Sequence, residues 1–580
     1  MTREATVEEM ERRLTLSKVA LGEVPPDTLI THMTLFNSHT GEFIKDQSLW
    51  IKDGLIAYIG KDSYPGKGDQ TLVIDAEGMT VLPGLIDGHT HMVSNRYGIE
   101  EFVKHVIPTG VTTVITELME TATISGRDGI EFPVKGFEKQ PIRFYYTIPP
   151  VCGLTPAEEV MAPSNDLLIP FLRDPQCVGI GEIYWGNIFL DGGQGERVRE
   201  LVNIALGMGK VVEGHTAGAS ERKLQAYTDF GISSCHEPIT EEEVWERLRL
   251  GYWVMIREGS IRKELPGVAG IFKERIDYRR LILTTDGVDP GGFLEEGYLD
   301  ASLKTGLKMG IPPALAYQMV TINVAEHFRL DHLIGSLSPG KKADLVIIPS
   351  PSEYSPRLVM CDGRVIFRDG KSLVEPKKVF FPESMFRTVN VNDSDIPSLP
   401  TRGKVRAMEL VNRLVTKESI VDLENDEEMK DVISILTKDR LRNGEGFIGF
   451  LKGFGLERGA YGTTMNWDSP ALIVVGCDQL SMRTVMGRLR ENGGGNVYAI
   501  GEEVVAEFPA PVCGLISLRP MEKVRSELKR IEDSLRENGV RWENPILTVD
   551  TLSTAAIPHF RITHRGYVRL RDRKILGVDL

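Results

Sequence analysis

Short apolar runs alternate with longer helix-period segments through the middle of the chain, from about residue 81 to 334. Eight runs have strand character: VLPGLIDGHTH, GVTTVITEL, IRFYYTIPP, CVGIGEIYW, KVVEGHT, GISSCHE, YWVMIREGS and LILTTDG. Between them, charged segments such as ERVRELVNIALGMG, ASERKLQAYTDF and TEEEVWERLRLG place apolar residues at helical spacing. Eight strand–helix units in about 250 residues are what a closed TIM-type barrel requires. A doubly wound open sheet would alternate too, but this number of units favours closure.

The flanks have another texture. Residues 7–22 predict a short amphipathic helix that ends at the Gly-Glu-Val-Pro-Pro stretch, 22–26. From 28 to 80 the chain breaks into short strands, and the same texture returns at 342–375. Both stretches carry Asp-Gly between apolar runs, at 53–54 and 362–363, where a tight hairpin turn is expected. One β-sandwich domain built from 27–80 and 335–375 explains both, with the barrel of 81–334 inserted and residues 1–26 as an N-terminal helical segment. A polar, Pro-punctuated connection, VNDSDIPSLPTRG, then leads to a mixed unit at 400–580. The expected fold class is therefore α/β, a (β/α)8 barrel inserted in a small β-sandwich domain, followed by a C-terminal α+β domain.

Composition narrows the function classes. Apolar residues at 41% and charged residues at 26% are ordinary for a soluble globular protein. Acidic residues outnumber basic ones, 82 to 68, for a net charge of −14, which speaks against a grip on nucleic acid. The six cysteines (152, 177, 235, 361, 477, 513) form no CxxC pair, so a reducing compartment is expected. The N-terminal stretch lacks an apolar core of signal-peptide type, and no run approaches the roughly 18 apolar residues of a membrane span. A cytoplasmic protein without a membrane partner is the expectation.

The chemistry gathers at strand ends. His89 and His91 are two apart at the end of the first barrel run, so both imidazoles point one way and can share an ion. Glu182, His215, His236 and Asp286 each close a different predicted strand and project to the same C-terminal rim. Each alone has a bland alternative, such as a satisfied core histidine or a helix-capping carboxylate. Five strand ends carrying ligand-type side chains together make the sharper reading stronger. Imidazoles and carboxylates without thiolates suit divalent zinc, iron or manganese. Glu182 is placed to bridge two ions, and Asp286 to orient an attacking water and pass its proton to a leaving nitrogen.

At these residues the chain resembles the metal-dependent amidohydrolases, and within them the adenine deaminase family, over nearly its whole length. PGLIDGHTH resembles the first-strand signature, and GEIYWG resembles the fourth-strand motif in which a glutamate replaces a modified lysine. EGHTAGAS, LQAYTDFGISSCHE, VMIREGS, TTDGVDP, FLEEGYLD and LSPGKKADLVI continue the run; GFGLERGA, ENGGG and PAPVCGLIS extend it into the terminal domain. The resemblance implies a hydrolase of purine metabolism that turns adenine and water into hypoxanthine and ammonia at a binuclear iron or manganese centre. It implies His89, His91, Glu182, His215, His236 and Asp286 as metal ligands, with Asp286, Glu182 and His236 catalytic. Glu237, Arg257 and Glu258 then fall near the substrate. A purine or related N-heterocycle as the small-molecule partner, and a homo-oligomeric assembly, belong to the same expectation.

Three polar positions of the family are changed. Val93 stands where a glutamate is usual, Gly287 where a second aspartate is usual, and Trp467-Asp468-Ser469-Pro470 where His-Asp-Ser-His is usual. Losing buried hydrogen-bonding groups alters substrate discrimination, so a related amino-heterocycle stands beside adenine as the expected substrate. A cyclic-amide hydrolase on the same scaffold is the second reading. A non-catalytic relative is the third, and the intact ligand set argues against it, because such groups are costly in a pocket without an ion.

Overall fold

The computed structural model describes residues 3–61, 68–92, 96–150, 162–392, 396–442, 446–557 and 559–580. Val93 lies outside them. The eight expected barrel strands are all present: β1 (Leu85–Thr90), β2 (Val111–Glu117), β3 (Arg143–Ile148), β4 (Cys177–Tyr184), β5 (Val211–His215), β6 (Ser234–Cys235), β7 (Trp253–Arg257) and β8 (Leu281–Thr284). Parallel pairing follows chain order, in one sheet from β1 to β5 and another from β6 to β8. These strands are almost wholly buried, as apolar strands covered by helices on one face and packed in a barrel on the other must be.

Between β8 and β1 the seam is closed mainly by a side chain. Thr284 Oγ1 lies 2.6 Å from Asp87 Oδ1 and 2.8 Å from the His89 carbonyl, which share its one proton, and it accepts from the His89 amide (2.9 Å). The Asp286 amide adds a backbone bond to the His89 carbonyl at 3.0 Å. Asp87 also accepts from the Thr285 hydroxyl at 2.6 Å. The opposite seam is similar but thinner, the Gly214 amide meeting Ser234 Oγ at 3.4 Å.

Both flanks enter one nine-stranded sheet. Thr80–Pro83 runs beside Thr28–Asn37 and pairs antiparallel with Leu345–Ile348, Val81 facing Ile347. The Asp-Gly pairs turn their hairpins as expected, with positive φ at Asp53 (50°), Gly54 (74°), Asp362 (49°) and Gly363 (74°). The first helix spans Arg3–Ala20 but lacks the expected apolar stripe: Leu16 and Val19 pack on the sheet, whereas Val7, Met10 and Leu14 are exposed. The apolar contact comes from its last turns, and Arg12 Nη2 donates to the Asp53 carbonyl at 2.9 Å.

The terminal unit holds an eight-stranded sheet with helices Gln479–Glu491 and Met521–Glu537 against it, and a three-stranded sheet at 560–576. The Gly-rich ENGGG stretch is a turn. Gly495, at φ 113°, leaves no room for a side chain, since a Cβ there would lie 1.9 Å from the Phe508 carbonyl. This unit sits over the C-terminal rim of the barrel: Arg96 pairs with the buried Asp550, and Tyr97 bridges Ser517. No helix among the described residues is long and apolar enough to cross a membrane.

Candidate metal centre

Six side chains from five strand ends converge under the terminal unit. His89 and His91 leave β1 on the same face, and Asp87, two residues earlier, shares it and ties that face to β8. Glu182 lies inside β4, His215 ends β5, His236 follows β6, and Asp286 follows β8. All six are buried.

Glu182 stands at the middle with one oxygen to each side. Its Oε1 is 2.9 Å from His91 Nε2 and 4.0 Å from His89 Nε2; its Oε2 is 3.4 Å from His236 Nε2 and 3.7 Å from His215 Nε2. Asp286 Oδ1 lies 3.4 Å from His89 Nε2 and 3.6 Å from His91 Nε2. Burial alone would raise the Glu182 carboxyl, but His236, His91 and His215 hold it well below the usual carboxylate range. Asp286 follows the same logic: burial opposes ionisation, and His89, His236 and Arg257 overcome it.

Asp286 has a left-handed backbone, φ 53°, a conformation L residues adopt at a cost and that aspartate tolerates better than most. That turn directs the carboxylate back over the barrel axis. Arg257 fixes its outer oxygen, Nη1 to Oδ2 at 3.1 Å, and is itself held by Glu264 through Nε (3.1 Å) and Nη2 (2.6 Å).

The donor set fits divalent cations. His89 Nε2 is buried without a hydrogen-bond partner, and so are one oxygen each of Glu117 and Glu120. Buried polar atoms are rarely left so, and a cation would satisfy the imidazole lone pair. At this site three groupings bring ligand atoms within 4.8 Å of one another: His89, His91 and Glu182; His89, His236 and Asp286; and Glu182, His215, His236 and Glu237.

The remaining expected residues divide. Arg257 lines the cavity beside Asp286. Glu237 turns Oε2 into the wall, where it accepts from the Thr216 amide (2.6 Å) and hydroxyl (3.0 Å), and leaves Oε1 2.9 Å from His236 Nε2 within the third grouping. Glu258 is not brought to the cavity. Its carboxylate accepts from the Leu265 amide at 3.2 Å, because adjacent residues leaving a strand point opposite ways and Arg257 holds the inward position.

Sequence reasoning missed several groups. Glu120 Oε1 lies 3.0 Å from His91 Nδ1, placed to accept its N–H, the usual way a second carboxylate orients a ligating imidazole. Glu117, from β2, lies beneath, accepting the Glu182 amide at 3.2 Å; burial, with the Glu182 charge beside it, pushes its carboxyl up to about 8. Gly181 makes room for it, since a Cβ there would fall 1.9 Å from Glu117 Oε2. Asp468, from the terminal unit, lines the same cavity, as do its neighbour Trp467 and Tyr184. Glu117 carried a signal as the end of a barrel strand, Tyr184 lies within GEIYWG, and Trp467 and Asp468 belong to the altered terminal-unit motif; Glu120 carried none.

The comparisons with known proteins agree over the whole chain. Residues 80–366 match the model of the amidohydrolase family, and residues 412–574 match that of the adenine deaminase C-terminal domain. An adenine deaminase of Moorella thermoacetica is 31% identical, covering 97% of this chain and 97% of its own. One of Thermosipho africanus is also 31% identical, over 97% and 98%. Among solved structures, the β-aspartyl dipeptidase of Fervidobacterium islandicum AW-1 has a TM-score of 0.46 at 17% identity, over 61% of this chain and 98% of that one. The chain belongs to the adenine deaminase family of the amidohydrolases.

Proposed function

We propose that this chain hydrolyses the amino group of adenine, or of a closely related amino-heterocycle, giving hypoxanthine and ammonia in the case of adenine. The observation that carries the reading is Glu182, whose two oxygens each face a separate histidine pair, as a carboxylate shared by two ions would. His89, His91, Glu182, His215, His236 and Asp286 would hold two divalent ions, with manganese or iron favoured and zinc compatible with the same ligands. Bound there, the ions would supply the Lewis-acid field that brings the ionisation of water toward neutral pH.

The chain's own groups do the rest. Arg257 holds Asp286 Oδ2, leaving Oδ1 turned toward His89 and His91 to take a proton from the attacking water. The same oxygen can return that proton to the exocyclic nitrogen as it leaves, so water is consumed and ammonia released. Trp467 and Tyr184 stand among the cavity walls, where they would limit bulk water. The departures at Val93, Gly287, Trp467 and Pro470 are why a related heterocycle stays in the proposal.

The test is direct. Manganese- or iron-loaded protein given adenine should release ammonia in step with the ultraviolet shift to hypoxanthine. Metal-loaded protein that binds adenine yet leaves it intact would overturn the deaminase reading.

A further inference from the structure

A second cluster of ligand-type side chains lies outside the metal cavity, where the barrel meets the terminal unit. Glu101 and His105 stand one turn apart on the helix Ile99–Val106, so both side chains leave the same face. Glu522 comes from the first turn of the helix Met521–Glu537. His105 Nε2 lies 3.6 Å from Glu101 Oε2 and 3.7 Å from Glu522 Oε1. Ligand atoms of the three residues all fall within 4.8 Å of one another.

These separations are too long for hydrogen bonds and close to those that a shared ion imposes. With metal–ligand bonds of roughly 2.0–2.2 Å, tetrahedral geometry puts neighbouring ligand atoms about 3.3–3.6 Å apart. A direct pair between an imidazole and a carboxylate closes further, as His327 and Glu213 do at 2.7 Å. The ring nitrogen points the same way: His105 Nε2 is buried and has no hydrogen-bond partner. Buried polar atoms are rarely left so.

The surroundings hold the ligands in place. The Met521 amide donates to Glu101 Oε2 at 2.9 Å, which sets that carboxylate against the start of the second helix. The Phe293 ring meets the His105 ring edge-on, with centroids 6.1 Å apart. Close by, the Ser517 amide donates to the Arg96 carbonyl at 2.9 Å and ties the two units together. No lysine or arginine pairs with Glu522 among the described residues. Lys104 does face the cluster, with Nζ 3.6 Å from Glu101 Oε2, but it is half-exposed on a flexible stem that can turn to water.

We propose that Glu101, His105 and Glu522 hold a zinc ion that clamps the terminal unit to the barrel. One imidazole and two carboxylates suit zinc, and Glu522 is exposed enough for water to fill the fourth position. This site is separate from the six residues of the cavity and does not depend on which substrate is hydrolysed there.

The experiment loads the cavity with manganese, adds zinc against a competing chelator, and counts zinc per chain by atomic emission. Zinc that exchanges into the cavity does so equally in wild type and in variants of the second cluster, so their difference reports this site alone. Wild type should hold one zinc more per chain than His105→Asn. Glu522→Gln changes an exposed position with little bearing on folding. It should weaken the extra zinc by at least about tenfold, the lower bound for losing even an outer partner of a ligand. Zinc should also raise the thermal midpoint of wild type above that of either variant. Equal zinc content in wild type and both variants overturns the proposal. A loss confined to His105→Asn overturns it too, since the terminal unit would then supply no ligand. Neither result bears on the deaminase reading, which is tested by ammonia release.

Discussion

Arg257 touches Asp286 through Nη1 alone, at 3.1 Å, while its Nε and Nη2 are both committed to Glu264. The guanidinium is thus a fixed arm whose far end is anchored and whose near end aims one carboxylate oxygen. Lysine cannot make both contacts, because its ammonium lacks the planar fork. Arg257→Lys should lower kcat by about 10- to 100-fold, the usual effect of losing a partner that orients a ligand. Metal content measured by atomic emission should change little. A variant with full kcat would show that Asp286 needs no such support.

Glu120 backs His91 from outside the proposed ligand set, 3.0 Å from Nδ1. Glu120→Gln keeps the shape but removes the charge that favours a ligating Nε2. We expect metal affinity to fall by about 10- to 100-fold in competition with a fluorescent chelator. Unchanged affinity would mean that the imidazole is positioned by its strand alone.

Thr284 makes three polar contacts across the β8–β1 seam and is wholly buried. Thr284→Val preserves volume but leaves Asp87 and the His89 amide short of a partner. The expected loss is roughly 2–4 kcal/mol, read as a lower urea midpoint with an unchanged slope. A midpoint equal to that of wild type would show that the barrel closes without this hydroxyl.

Burial pushes the Asp468 carboxyl from its usual 3.8 up to about 6, against the opposing pull of the Thr554 and Tyr184 hydroxyls. The folded chain therefore takes up this proton at higher pH than the unfolded chain does. The cost of the ionised form is fully present above pH 6 and fades as pH falls toward 4. Asp468→Asn removes that cost, so the variant should be more stable than wild type at pH 7.5, by up to about 3 kcal/mol, and the gain should vanish near pH 4. Lower stability than wild type at pH 7.5 would show that the carboxylate holds the fold rather than burdening it.

Much of this architecture could be read from periodicity. The β1 histidines were visible because residues two apart on a strand share a face, and Asp87 obeys the same rule although its role in the seam was not foreseen. Glu182, His215, His236 and Asp286 were legible because each closes an apolar run, the position that barrels reserve for chemistry. Glu258 shows the limit of such reading. Adjacency to Arg257 in sequence places it on the opposite side of the chain, where it accepts the Leu265 amide. Glu120, and the place of Asp468 in this cavity, were hidden for a different reason. The first reaches His91 from the helix Met119–Ser125 that follows β2, and the second arrives from nearly 300 residues beyond Glu182. Contacts of that kind depend on how layers dock, and no local pattern encodes them.

On the proposed metal reading, the Thr284 seam also bears on when this chain would acquire its ions. His89 belongs to the first strand of the ring and Asp286 follows the last, so the two meet only once nearly 200 intervening residues have circled back. An unfinished ring emerging during synthesis has half of one coordination sphere at its leading edge and half still to be made. Cation uptake in a refolding experiment would thus register completion of the circle, and premature, misplaced capture is discouraged by the order in which the chain is built.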